Sequence, residues 1–185
     1  MSRRKNKKVR LATPKQLLEA HAEFLRSLFN KKSGESDLAR ALIGASFLDQ
    51  QVALLLKAHL IEGRLSNDLL NERGLLSSFY NRVRMARCLG LIDHESFNNL
   101  CVVGRIRNCF GHSPLPIDFT DDEVARQCNR LRLPNTLLSL GSESLKKVRA
   151  SPKAKFACVV WELCRLLNQK ILEEMSRKVE PTTQK

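Results

Sequence analysis

The stretch Ser36-Asp37-Leu38-Ala39-Arg40-Ala41-Leu42-Ile43-Gly44-Ala45-Ser46-Phe47-Leu48-Asp49-Gln50-Gln51-Val52-Ala53-Leu54-Leu55-Leu56-Lys57-Ala58-His59 decides the fold class. Within it Leu38, Ala41, Leu42, Ala45, Leu48, Val52, Leu55, Leu56 and His59 recur at three-and-four spacing, which puts them on one stripe of a helix. Ser36 has the side-chain oxygen that an N-cap needs, and Gly63 is the residue expected to stop the helix. Asp49 and Lys57 fall off the stripe, where a charged residue meets water and needs no further role.

The same period extends in both directions. Upstream, Thr13-Pro14 reads as an N-cap and first-turn proline, followed by a stripe of Leu17, Leu18, His21, Phe24, Leu25, Leu28 and Phe29. Downstream, a polar connector from Ser66 to Gly74 has room for one short helical turn. Phe79, Val83, Ala86 and Leu89 then mark a helix that closes at Gly90. Asp93 caps the next helix, which carries Phe97, Leu100, Cys101, Gly104 and Ile106 toward Arg107 and His112 before Pro114 forbids continuation. Thr120-Asp121-Asp122-Glu123 reads as a capping box for a helix through Val124, Cys128 and Leu131, ended by Pro134. The run from Asn135 to Ala150 has no clear period. Ser151-Pro152 opens a long final helix with Phe156, Val159, Val160, Leu163, Leu167 and Ile171 on its buried face and Trp161 near the edge. Alternating strand patterns are missing, so the expectation is an all-α multi-helix bundle with an added long C-terminal helix.

A chain of 185 residues, 43% hydrophobic and 28% charged, is long enough for one domain with a real core. The expected division is a basic flexible arm over 1–13, a single helical domain over 14–176 and a flexible tail over 177–185. The sequence has no run of 18 apolar residues and no apolar stretch behind its basic start, which predicts a cytoplasmic protein without a membrane span. Cys88, Cys101, Cys109, Cys128, Cys158 and Cys164 are scattered without the paired spacing of a zinc site, and most fall on apolar helical faces. Glycine-rich phosphate loops, Gly-x-Ser-x-Gly and His-Glu-x-x-His are likewise missing, so neither metal nor cofactor is expected.

The net charge of +13 suggests an anionic partner, and its distribution narrows where. Residues 1–16 contribute +7, residues 126–155 another +7, and the rest of the chain sums to −1. The candidate nucleic-acid contacts are therefore Arg3, Arg4, Lys5, Lys7, Lys8 and Arg10 in the arm, with Lys146, Lys147, Arg149, Lys153 and Lys155 late in the chain.

Two segments suggest a site. Arg82 to Val103, with Arg82, Arg84 and Arg87 before Gly90, has the outline of a helix-turn-helix. Its second helix would then need apolar anchors at Ser96 and Asn99, whereas the apolar residues are Phe97 and Leu100, so an ordinary αα-hairpin is expected. The other segment is Arg105-Ile106-Arg107-Asn108-Cys109-Phe110-Gly111-His112. Gly111 and Ser113-Pro114 would let the backbone bend, bringing Arg107 and His112 off diverging faces. A guanidinium that binds phosphate beside an imidazole that moves a proton suits metal-independent phosphodiester chemistry. Against this, an Arg-Asn pair and a terminal His could simply cap the helix end and tie it to the next loop, and an Arg and a His five apart also arise often by chance.

The blocks Glu35 to Ala45, Leu75 to Phe79, Arg82 to Ile92, Ile106 to His112 and Phe119 to Glu123, in that order, resemble the mannitol operon repressor (MtlR) family over about residues 24–172. The resemblance implies an all-helical negative regulator of transcription without an evident DNA-reading motif. Such a regulator would act through a protein partner or through nucleic-acid contacts that do not read sequence. The Arg107-Asn108 to His112 block is also similar to the Arg-x4–6-His signature of HEPN domains, which implies the alternative of a metal-independent endoribonuclease. By that resemblance Arg107 would hold the scissile phosphate, Asn108 would orient it and His112 would help activate the ribose 2′-hydroxyl, in a homodimer that pairs two such motifs.

Overall fold

The computed structural model describes residues 14–30, 34–135 and 142–179. Those residues form eight helices and no strand: α1 Pro14–Phe29, α2 Asp37–His59, α3 Arg64–Leu70, α4 Phe79–Cys88, α5 His94–His112, α6 Asp122–Asn129, α7 Ser142–Ala150 and α8 Pro152–Val179. The expected all-α bundle with a long last helix is what the chain builds. The arm at 1–13, including Thr13 of the expected cap, lies outside the described residues, as do residues 136–141 of the unassigned run and 180–185 of the tail.

Three of the helix starts read from sequence form as expected. Ser36 accepts from Ala39 N at 3.1 Å, Asp93 from Ser96 N at 2.7 Å and Ser151 from Ala154 N at 3.2 Å, each satisfying a backbone donor that the first turn leaves without a partner. The turn after α4 is a Schellman closure: Leu91 N donates to Ala86 O and Gly90 N to Arg87 O, with Gly90 at φ +71°. A side chain at position 90 would have open space around it, so it is the left-handed backbone that calls for glycine here.

Two boundaries differ from the sequence reading. α2 ends at His59, four residues before Gly63, and Gly63 instead precedes the first turn of α3. The expected capping box does not form. Asp118 competes for its parts: the Thr120 hydroxyl donates to Asp118 Oδ1 at 2.6 Å, and Asp118 N donates to Asp121 Oδ2 at 2.6 Å. Glu123 turns to Arg126 and Gln127, so Asp121 stands at the N-cap position without a side-chain cap bond.

α2 is the centre of the core, packed against α8, α5 and α4. Its buried residues run in adjacent pairs, among them Ala41, Gly44, Ala45, Phe47, Leu48, Val52, Leu55 and Leu56, so it buries a face wider than one stripe. By length and composition alone it is apolar enough to cross a membrane. Here its apolar surface is spent on neighbouring helices, while Leu38 of the expected stripe is nearly half exposed. α8 covers one side with Phe156, Val159, Val160, Leu163, Leu167 and Ile171, all buried as expected. α1 lies against α8 and α2. Leu28 is buried, but Phe24 of the expected stripe is nearly half exposed where it meets Phe47. The side chains of Leu17, Leu18, His21 and Leu25 lie outside the described residues.

Between the helices runs an aromatic ladder. Phe119 sits between Phe110, at 5.1 Å between centroids, and Phe156, at 5.2 Å, and Phe156 in turn meets Phe29 edge-on at 6.2 Å. A polar clamp holds the end of α6: buried Asn99 donates to Arg132 O at 3.0 Å and accepts from Arg132 N at 2.9 Å. Asn99 is one of the two positions that a helix-turn-helix would need apolar, and its amide pins the segment after α6 to α5.

All six cysteines are free thiols; Cys128 and Cys164 are buried, and Cys88 is exposed. Burial pushes the Cys128 thiol up to about 12 and Cys164 to about 11 from an ordinary value of 9.0. At about pH 8 a thiol-alkylating reagent should therefore label Cys88 well before either buried thiol in the folded chain, a sequence readable by mass spectrometry. A raised folded-state value also fixes the sign of the linkage. Keeping these two thiols neutral stabilises the fold fully below 9.0, and the contribution is lost as pH climbs toward 11 to 12.

Candidate functional site

A groove of about 430 Å³ opens between the middle of α2, the start of α4 and the second half of α5. α5 turns one face to it through Cys101, Gly104, Arg105 and Asn108, spaced at i, i+3, i+4 and i+7. Arg107 reaches its rim. Phe79, the first residue of α4, closes the floor. A Cβ on Gly104 would stand 3.1 Å from the Phe79 ring, so the close approach of α4 and α5 depends on that glycine.

The wall between α2 and α4 is built on an ion pair. Arg82 Nε and Nη2 both donate to Asp49 Oδ1, at 2.8 and 2.6 Å, while Nη1 donates to Leu76 O and Ser77 O at 2.8 Å each. This guanidinium is mostly buried and makes four hydrogen bonds with its five N–H donors. Asp49 thus has a role that its place off the apolar stripe did not suggest: it fastens α2 to α4 across 33 residues of chain. The other arginines of the helix-turn-helix reading are also engaged. Arg84 stacks over Tyr80 at 5.5 Å, and Arg87 donates to Ile92 O at 3.2 Å.

Arg105 and Arg107 differ from Arg82. Both are exposed, and neither is in an ion pair among the described residues. Arg107 donates to Asn108 Oδ1 at 3.0 Å. The charge of Arg105 is felt by Cys101, whose thiol is raised mainly by burial and drawn back down by that guanidinium.

The expected convergence of Arg107 and His112 does not occur through a bend. α5 is continuous through Gly111 to His112, because a single glycine near a C-terminus weakens a helix without breaking it. Five residues at about 100° each put the two side chains about 140° apart around the axis. Arg107 and Asn108 line the groove; His112, exposed at the last turn, is not among its lining residues.

Of the late basic residues, Lys153 pairs with Asp37 at 2.6 Å and Lys155 donates to Asn129 O at 3.2 Å, so both tie α8 to its neighbours. Burial draws the Lys155 ammonium below its ordinary value. Lys147 reaches Glu143 at 3.8 Å, whereas Lys146 and Arg149 are exposed on α7 without an ion pair among the described residues. Arg3, Arg4, Lys5, Lys7, Lys8 and Arg10 lie outside the described residues. No group of three His, Cys, Asp or Glu among the described residues is placed to hold a metal ion. Sequence reasoning passed over Arg105; the signal was there in the i, i+3, i+4, i+7 row from Cys101 to Asn108, whose polar members mark a face turned to something other than the core.

The chain is thus an all-α bundle in which a central helix is held between a helical hairpin and a long C-terminal helix, with a cationic groove at the hairpin. A chain of the X-ray structure of the MtlR–HPr complex from Escherichia coli has a similar fold, with a TM-score of 0.59 and 18% sequence identity over 80% of this chain and 99% of that one. No family model matches the sequence, and no curated protein matches it.

Proposed function

We propose that this protein is a helical regulator that works by docking a protein partner, and that its regulatory output is negative control of transcription. The observation that carries the reading is the fold it shares with a chain solved in complex with HPr. The arginines that a DNA-reading helix pair would project are consistent with it, because Arg82, Arg84 and Arg87 are engaged within the hairpin.

HPr is accordingly the partner to test. Titrating the purified full chain with HPr from the same cell should give a saturable complex by calorimetry. Removal of residues 1–13 should leave that complex intact, since helical surfaces and not the arm make it. A chain that forms no complex with HPr, and instead binds DNA or RNA with a steep salt dependence that flattens when the arm is removed, overturns this reading. It would put the basic arm and the exposed Lys146 and Arg149 in its place.

A further inference from the structure

The charge of the groove between α2, α4 and α5 is unbalanced. Its charged lining groups are Asp49, Arg82, Arg105 and Arg107, and the first two neutralise each other within the wall. Two exposed guanidiniums remain: although about 160° apart around α5, both border the groove, Arg105 from the face turned to it and Arg107 from the side on which it meets Asn108, and no further charged group lines it. The body of the chain outside the two basic segments sums to −1, so this local excess does not come from a generally basic surface. Two like charges held beside one low-dielectric wall favour any ligand that brings the opposite charge.

Size and lining narrow the ligand further. A volume of about 430 Å³ is that of a small-molecule site. Phe79 supplies an apolar floor, and Ser46, Ser77 and Tyr80 supply hydroxyls that can meet the hydroxyls of a polar ligand. A carboxylate would neutralise one of the two cations. A phosphate monoester, close to a dianion at neutral pH, neutralises both and has enough oxygens to be shared between two forked guanidiniums. None of the lining groups is an unpaired carboxylate or a histidine, so the arrangement suits holding such an ester and not cleaving it.

We propose that the groove between α2, α4 and α5 binds a small organic phosphate monoester, with Arg105 and Arg107 gripping the phosphate over the Phe79 floor. The site is independent of the partner-docking reading, and either can fail without the other.

Glycerol phosphate is a suitable probe on the full-length chain at constant ionic strength. It should raise the melting temperature saturably and bind by calorimetry, with inorganic phosphate weaker at the same site and glycerol and acetate without effect. Arg105→Ala/Arg107→Ala should weaken binding at least tenfold. Both side chains are exposed, so the variant should keep the melting temperature of the parent in chloride, and Arg64→Ala, at an exposed arginine outside the groove, should bind as the parent does. Cys101 lines the groove, so the ligand should slow its alkylation relative to Cys88 in the parent and not in the double variant. No saturable binding, equal binding by the double variant, or an equal shift from chloride overturns the proposal.

Discussion

Replacing Phe119 by Ala should cost about 3–5 kcal/mol of folding stability, the range for removing a large aromatic from a closed core. The residue is 1% exposed, and rings from α5 and α8 stand on either side of it at 5.1 and 5.2 Å. Truncation loses the transfer energy of the ring and leaves a cavity that those two helices cannot easily fill, because each is held by its own contacts with α2. The segment carrying Phe119 lies between α5 and α6 and has little else buried near it. Its backbone N–H reaches Asp37 Oδ2 at a long 3.4 Å, so the ring is the main anchor of this connection. Urea unfolding should show a lower midpoint with an unchanged slope, and Phe119→Leu should recover more than half of the loss. A loss under about 1 kcal/mol for the alanine variant would mean that the ladder is not a closed part of the core.

Phe119 also shows what could be read in the sequence and what could not. The caps at Ser36, Asp93 and Ser151 were legible because the chemistry that makes them is local: an oxygen three residues before a free N–H. The buried face of α8 was legible because about four turns, from Phe156 to Ile171, repeat one period. Phe119 sits alone in a segment with no period, so nothing marks it as core. The capping box at Thr120 failed for the opposite reason. Its motif is complete, but the Thr120 hydroxyl donates to Asp118, two residues upstream, and the helix starts one residue later with Asp121 at the N-cap, so the hydroxyl is not placed to accept from the first turn.

The candidate site divides along the same line. Arg107 and Asn108 are legible in the sequence as site candidates, and both line the groove. The groove itself depends on pairings that no local pattern announces. One is Asp49 with Arg82, residues on two helices and 33 apart in sequence. The other is a glycine on α5 whose missing Cβ admits a ring from α4. A site joining His112 to Arg107 requires Gly111 to bend the chain. A glycine permits a bend, but the helix ladder around it favours continuing, and the ladder prevails.

The second large effect is expected at Arg40, where Met should cost about 3 kcal/mol. The guanidinium is buried, with its side chain 6% exposed, at the junction of α1 and α2. Its Nε donates to Leu28 O in the last turn of α1 at 3.1 Å, and Nη1 donates to Glu35 O and to Asp37 Oδ1. Methionine fills a similar volume and removes a buried charge, which by itself would be neutral or favourable. The acceptors, however, remain. The Leu28 carbonyl loses the Arg40 donor of a buried bond, and of the two cations paired with Asp37 the partly exposed Lys153 remains. Arg40→Lys keeps the charge but has no planar fork to span three acceptors, and should fall between the parent and Arg40→Met. A double-mutant cycle with Asp37→Asn separates the terms. If the lost carbonyl partners dominate, the two substitutions should be close to additive. If the ion pair dominates, the double variant should be clearly more stable than the sum predicts. Denaturant unfolding that finds Arg40→Met within about 0.5 kcal/mol of the parent would mean that apolar packing alone seats α1 on the bundle.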